Sequence, residues 1–229
     1  MPFPTHIRPV NLTAVKQQRL SEYLLNAGQF SSVEESFGAV AYIFHEFGFA
    51  VGRMGLAIIP IYETLDGIHL LATDETERKV LRLDREAGFF DSDEHRNSII
   101  AHVMHTNTPI RLNLTAGEGC DQYEFLRDLK EKGFRDYFIT PIGRQETVRF
   151  IMSITTRRPT PWSDAEMATM NEFFAVLGYV VESFELSRMI FLASQDPLTR
   201  LLNQRAFDHE ARKTLDFAKN REAWSAMIF

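Results

Sequence analysis

The apolar positions of this chain change period along its length, and each change marks an element. Leu20, Tyr23, Leu24 and Ala27 recur at helical spacing and predict a helix over residues 12–27. Ser31 and Ser32 can cap a second helix, and Glu34 and Glu35 fall in its first turn, where the helix dipole favours negative charge. Val33, Phe37, Val40, Ala41 and Phe44 form its apolar face, and Gly48 ends it. Strand signals follow. The Ile-rich residues 51–64 and the run 68–73 flank an Asp66-Gly67 hairpin turn. The charged stretch 74–86 holds a third strand near residues 80–83. Ser92 or Asp93 opens a helix running to about Thr106, and residues 109–114 are extended. A glycine-bearing loop at 116–120 leads to a short helix over 123–132, closed by Gly133. Residues 136–142 and 147–156 make the clearest strand pair, joined at Gly143-Arg144. In the second strand Val148, Phe150, Met152 and Ile154 share one face, while Arg149, Ser153 and Thr155 share the other. That alternation predicts a sheet buried on one side and partly covered on the other. The element order predicts an α+β fold, an antiparallel sheet flanked by helices, with a long helix after the last strand.

Composition narrows the class. The 229 residues are 45% hydrophobic and 24% charged, with 19 Phe, which is ample for a globular core. A net charge of −6 and the lack of a dense Lys/Arg block argue against nucleic acid as a partner. The lone Cys120 excludes an internal disulfide and fits a reducing compartment. The N-terminus has no charged segment leading into an apolar one, as a secretory signal would. The apolar runs at 173–181 and 51–62, the latter interrupted by Arg53, fall short of the ~20 residues that cross a bilayer. A cytoplasmic location without membrane insertion is expected. Three prolines among the first nine residues predict a loose start over 1–11.

The long helix opens at Ser163, with Glu166 completing a capping box. Met167, Met170, Phe174, Leu177, Val181, Phe184 and, after Arg188, Phe191 then alternate at three- and four-residue spacing. Two readings stay open. The helix lies across its own sheet, or Met170, Phe174, Leu177, Val181 and Phe184 form the seam of a parallel homodimer that continues into a following domain. Arg188 weakens that seam and marks a switch point.

After the helix comes Asp196-Pro197-Leu198-Thr199-Arg200-Leu201-Leu202-Asn203-Gln204-Arg205-Ala206-Phe207. This resembles the opening of the GGDEF domain of diguanylate cyclases, D-x-L-T-G-L-x-N-R-x-x-F. The resemblance implies that the parent joins two GTP into cyclic di-GMP with Mg²⁺, and that Asn203 contacts the guanine of the substrate. Arg200 and Gln204 depart from the family's glycine and arginine. The metal-binding aspartate and the GGDEF loop would follow Phe229, so no catalytic residue, cofactor or metal site is expected within this chain. Residues 195–229 read as the start of that domain, ending in a strand at 225–229.

The preceding region, about 20–185, resembles the GAF domain, a small-molecule sensor, through its element order. Two segments strengthen it: Glu131-Lys132-Gly133-Phe134-Arg135-Asp136-Tyr137 before a strand, and Thr155-Thr156-Arg157-Arg158-Pro159 before Trp162-Ser163. PAS, the main structural competitor, lacks so long an N-terminal helical start. The sensor domain is placed at 12–162, the signalling helix at 163–194. His95 and Arg96, with Tyr137 on the later strand, are the candidates for the sensor pocket, where a basic group would hold an anionic effector. His95, His102 and His105 share one predicted helix, but no carboxylate or Cys completes a metal-ligand spacing. Asp121 follows Cys120 where bilin-binding GAF domains carry a histidine, so chromophore attachment is not expected. The resulting function is a sensory module of a diguanylate cyclase. The alternatives are a dimerisation module whose pocket is filled by its own Phe and Met side chains, or the regulator of a degenerate GGDEF domain that binds cyclic di-GMP.

Overall fold

A computed structural model describes residues 12–60, 67–74, 79–86, 88–143, 148–196, 198–199 and 201–220. The chain forms two compact units, Met1–Glu182 and Ser183–Phe229. The first begins with α1 (Leu12–Asn26) and α2 (Val33–Glu46). Then come β1 (Arg53–Pro60), β2 (Gly67–Thr73), β3 (Leu81–Arg85), α3 (Asp93–Arg96), α4 (Ile99–Thr106), β4 (Ile110–Asn113), α5 (Glu124–Glu131), β5 (Asp136–Ile142) and β6 (Val148–Thr156). Helix α6 (Asp164–Ala193) runs from the first unit into the second, which also holds α7 (Gln204–Asn220). None of the described helices is long and apolar enough to cross a membrane.

The strands form one six-stranded sheet in the order β3-β2-β1-β6-β5-β4, antiparallel at every pairing. The predicted α+β architecture is therefore present. Side chains alternate across a strand, so each face has its own set. On one face Ala57, Ile59, Ile139 and Ile151 join Ile99, Val103, Leu126 and Leu129 from α4 and α5 in a single apolar cluster. On the other face lie Met54, Leu56, Ile58, Phe150, Met152 and Ile154, all buried. There α2 and α6 meet through their rings: Phe44 stands 5.8 Å from Phe173 and 5.5 Å from Phe174, both edge-on.

This second layer decides between the two readings of the long helix. Met170, Phe174, Leu177 and Val181 are buried within one chain, at 1% exposure or less. They are core and are not free to form a dimer seam; Phe184 is half-buried. The heptad spacing misleads because a helix on a sheet and a helix in a coiled coil want the same apolar stripe. Gly178 shows how closely α6 sits: a Cβ there would stand 2.9 Å from the backbone nitrogen of Gly143 at the end of β5.

The ends of α6 behave as its sequence predicts. Ser163 N–H donates to Glu166 Oε2 at 2.7 Å, and Glu166 N–H returns to Ser163 Oγ at 3.3 Å. Arg158 grips the same carboxylate with both terminal nitrogens, at 2.7 and 3.0 Å. Nearby, buried Asp136 accepts from Arg111 Nη2 at 2.7 Å and from Trp162 N–H at 3.0 Å, fastening β4 and β5 to the start of α6.

The helix expected from Ser92 to Thr106 is two helices. Ser98 Oγ accepts from Ala101 N–H at 3.1 Å and caps a fresh start, so α3 ends after Arg96. The Asp66 and Arg144 turn positions and the strand expected at 225–229 lie outside the described residues.

Candidate functional site

The face of the sheet that carries α4 and α5 also holds a cavity of about 750 Å³. It opens where the sheet face has little bulk. Gly55 of β1 lies opposite Ser153 of β6, and Ala57 is opposite Ile151. A Cβ on Gly55 would stand 2.9 Å from Ser153 Oγ, so a larger residue would fill the floor. The roof comes from the 89–100 segment and from α5, which bring Phe89, Ile99, Tyr123 and Phe125 over the strands.

Cationic and imidazole side chains enter from the strands. Arg53 of β1 sits with its guanidinium carbon 4.8 Å from the Phe125 ring centroid. Arg85 of β3 lies in the same way 4.5 Å from Phe89. His69 of β2 is edge-on to Phe89, 6.2 Å between centroids, and His95 of α3 is 5.8 Å from Phe89 and 5.0 Å from Phe90. Neither Arg53 nor Arg85 pairs with a carboxylate among the described residues. His69 Nε2, His95 Nε2 and Arg85 Nε are buried without a hydrogen-bond partner. Asp93, Glu94, Glu124 and Asp128 also line the cavity, but they are exposed and form its rim.

This setting acts on the titrating groups. Burial, then the charges of Arg85, His95 and Arg53, push His69 from 6.5 down to about 4. Burial also lowers His95, against a smaller opposing pull from Asp91 and Glu94. It lowers Arg53 too, and it raises Tyr137. At neutral pH His69 is thus a neutral imidazole, and burial biases His95 the same way, with the Tyr137 side chain at one wall.

Of the predicted pocket residues, His95 and Tyr137 line the cavity and Arg96 does not. Arg96 Nη2 is 3.3 Å from Asp91 Oδ1 at the exposed surface. Successive helical residues point ~100° apart, so turning His95 inward sends Arg96 out. Arg53, His69 and Arg85 are the site residues that the sequence reading missed. Their signal was a basic side chain at the inward position of a strand: Arg53 and His69 both interrupt otherwise apolar runs. His102 Nδ1 is 3.0 Å from the Tyr123 hydroxyl, and His105 is exposed. Among the described residues no group of three or more His, Cys, Asp or Glu side chains is placed to hold a metal ion. Cys120 is buried in the α4–α5 cluster and does not line the cavity.

The sequence matches no protein-family model and no curated protein. Solved structures do match the architecture. The GAF domain of a phosphoenolpyruvate-protein phosphotransferase from Coxiella burnetii superposes with a TM-score of 0.53 at 16% identity, covering 79% of this chain and 99% of that one. The phycocyanobilin-bound GAF domain of a cyanobacterial phytochrome gives 0.53 at 13% identity, over 75% of this chain and 96% of that one. The chain carries the GAF fold. A further similar structure is CepR2 of Burkholderia cenocepacia, an N-acylhomoserine-lactone-dependent transcription factor of the LuxR family. Its TM-score is 0.50 at 13% identity, over 77% of this chain and 98% of that one. At these identities the likeness is one of fold, and the chemistry of the GAF cavity has to be read from its own residues.

In the second unit Asp196 Oδ1 accepts from Leu198 N–H at 3.1 Å and from Thr199 N–H and Oγ1 at 2.8 and 2.9 Å, closing a tight turn. Asn203 Oδ1 caps α7 by accepting from Ala206 N–H at 3.0 Å. Its Nδ2 donates to Ala193 O, the last residue of α6, at 2.8 Å. The amide that the sequence marks for guanine is thus engaged locally at both ends.

Proposed function

We propose that this chain is a GAF-type sensory module of a diguanylate cyclase, binding a small-molecule effector in the cavity beneath α3–α5. The observation behind the sensory half is the cavity itself, about 750 Å³, lined by His69, Arg85 and His95, each of which holds a buried nitrogen without a hydrogen-bond partner. That volume suits a metabolite-sized ligand. It also counts against the alternative in which Phe and Met side chains of the chain fill the pocket. The cyclase half rests on the 196–207 segment and its resemblance to the GGDEF opening. Asn203 keeps one amide hydrogen and one carbonyl lone pair beyond its two local bonds, enough for an edge of guanine.

Two GTP-loaded domains must meet face to face, so a homodimer is part of the reading. In the second unit Leu186, Ile190 and Phe191 of α6 are exposed large apolar side chains. A second copy of the chain packed against them would form the contact.

Two measurements test the proposal. The residues encoded after Phe229 should carry a GGDEF loop, and the full-length product should make cyclic di-GMP from GTP and Mg²⁺. The 229-residue chain alone should make none. A full-length product that binds cyclic di-GMP without making it would support the receptor alternative. One that neither makes nor binds it ends the cyclase reading. For the sensory half, Leu71→Trp would place an indole in the cavity. It should lock the full-length product at one activity level, whereas wild-type response to cell extract metabolites in that variant would count against the cavity.

A further inference from the structure

We propose that the GAF cavity takes a small organic anion, its acid group held by Arg85, His69 and His95 around Phe89 and the rest of the molecule running toward Phe125 and Arg53. This rests on reading the cavity as the ligand site, and goes further by assigning the chemistry of the ligand.

Three observations converge. His95 is 3% exposed, and its Nε2 has no partner in the cavity wall; His69 Nε2 and Arg85 Nε share that condition. Arg85 Nε is a donor in every state, and each neutral imidazole donates from Nε2 in one of its tautomers, so an acceptor-rich group beside them would satisfy all three. Second, among the described residues Arg53 and Arg85 have no carboxylate partner, and each faces an aromatic ring. An arginine fork is shaped for the two oxygens of a carboxylate or a phosphate ester. Third, the charges are layered. The cations come from the strands, whereas Asp93, Glu94, Glu124 and Asp128 stand exposed at the rim. That acidic rim disfavours long polyanions such as nucleic acid, while a small ligand can pass it and place one acid group at the floor. The rings that shield the guanidinium groups leave apolar surface for the rest of the molecule.

The test uses the 229-residue chain, titrated by calorimetry with three probes of one shape: phenylacetate, phenyl phosphate and the neutral phenylacetamide. Backbone amide shifts of His69, Tyr137 and Ser153 report whether a probe sits in the cavity. At least one anion should bind about tenfold or more tighter than the amide, and the better of the two separates a carboxylate ligand from a phosphate ester. Arg85→Met and His69→Gln should each remove most of that preference and leave amide binding unchanged. Arg53→Met, at the far end of the cavity, should leave most of that preference intact, and a complete loss there would overturn the placement of the acid group at Phe89. Arg85 lies on an edge strand, so its variant keeps the test open if His69→Gln misfolds. Equal binding of acid and amide, or an anion preference untouched by Arg85→Met and His69→Gln, overturns the anion assignment and leaves the cavity as a ligand site. If no probe shifts the cavity amides at millimolar concentration, both the assignment and the cavity reading fall.

Discussion

Truncating Leu177 to alanine separates two roles for α6. The side chain is fully buried within one chain, on the helix whose Phe173 and Phe174 pack against Phe44 of α2. Removing most of a buried leucine loses its transfer energy and leaves a cavity that the ring cluster can only partly close. Leu→Ala changes of this kind cost about 2–5 kcal/mol. For a unit of this size each kcal/mol lowers the melting temperature by about 2–4 °C, so a fall of roughly 10 °C is expected. Because the contact lies within one chain, the loss should be the same at micromolar and at fifty-fold higher protein concentration. A seam residue would behave differently: the penalty would depend on concentration, and a dilute monomer would barely notice it. Leu186→Asp is the matched control. Leu186 is 53% exposed, so its change should leave stability within about 0.5 kcal/mol and act on association. A Leu177→Ala loss below about 1 kcal/mol, or one that vanishes on dilution, would refute the assignment of this half of α6 to the core.

Asp136→Ala strips Arg111 and the Trp162 N–H of their shared acceptor; urea denaturation should show a loss of about 3 kcal/mol, and a loss under 1 would make the network incidental. Glu166 is held from 4.5 down to about 2, chiefly by its hydrogen bonds with Arg158. Its contribution is complete above pH 4.5 and is lost as pH falls toward 2, so Glu166→Gln should flatten the acid arm of a melting-temperature profile there. His69 works on a higher window. Its folded value of about 4 lies below the unfolded 6.5, so between them the unfolded chain binds the proton that the folded one refuses. Stability therefore falls as pH drops through that range, and His69→Gln should remove that slope; an unchanged profile would mean that the imidazole is open to water.

How much of this was legible in the sequence follows from the length scale of each feature. The strand pair 136–156, the Ser163–Glu166 capping box and the α2 cap depend on residues a few positions apart, and local spacing states them. The break at Asn97–Ser98 was harder, because Ser98 reads equally well as an interior residue until its hydroxyl is seen capping α4. The role of α6 was not decidable, since its stripe fits a sheet as well as a partner helix. The cavity was the least legible. Arg53, His69, Arg85 and His95 come from four elements, and only the order β3-β2-β1 puts the first three on neighbouring strands. The sequence marked one member, His95, and paired it with Arg96, its neighbour in the chain rather than in space.

That arrangement also constrains how an effector could be felt. Strand β1 carries the cavity on one face, through Arg53, Gly55 and Ala57, and the α2–α6 core on the other, through Met54, Leu56 and Ile58. Adjacent residues of one strand thus belong to two compartments. A ligand held against Arg53, Gly55 and Ala57 pulls on a strand whose other face is buried through Met54, Leu56 and Ile58. The interior is close-packed, so such a pull is not absorbed by slack but is met by the helix that covers the strand. The ligand can bias α6 only by the difference in its affinity for two arrangements of that packing. Loosening the far face should therefore weaken coupling without weakening binding. Met152→Ala, on β6 beside Leu56, keeps every cavity residue in place. In the full-length product it should leave the affinity for the effector unchanged and reduce the change in output that the effector produces. If affinity and output fell together, the two faces would be acting as one compartment and the sheet would not be the element that transmits.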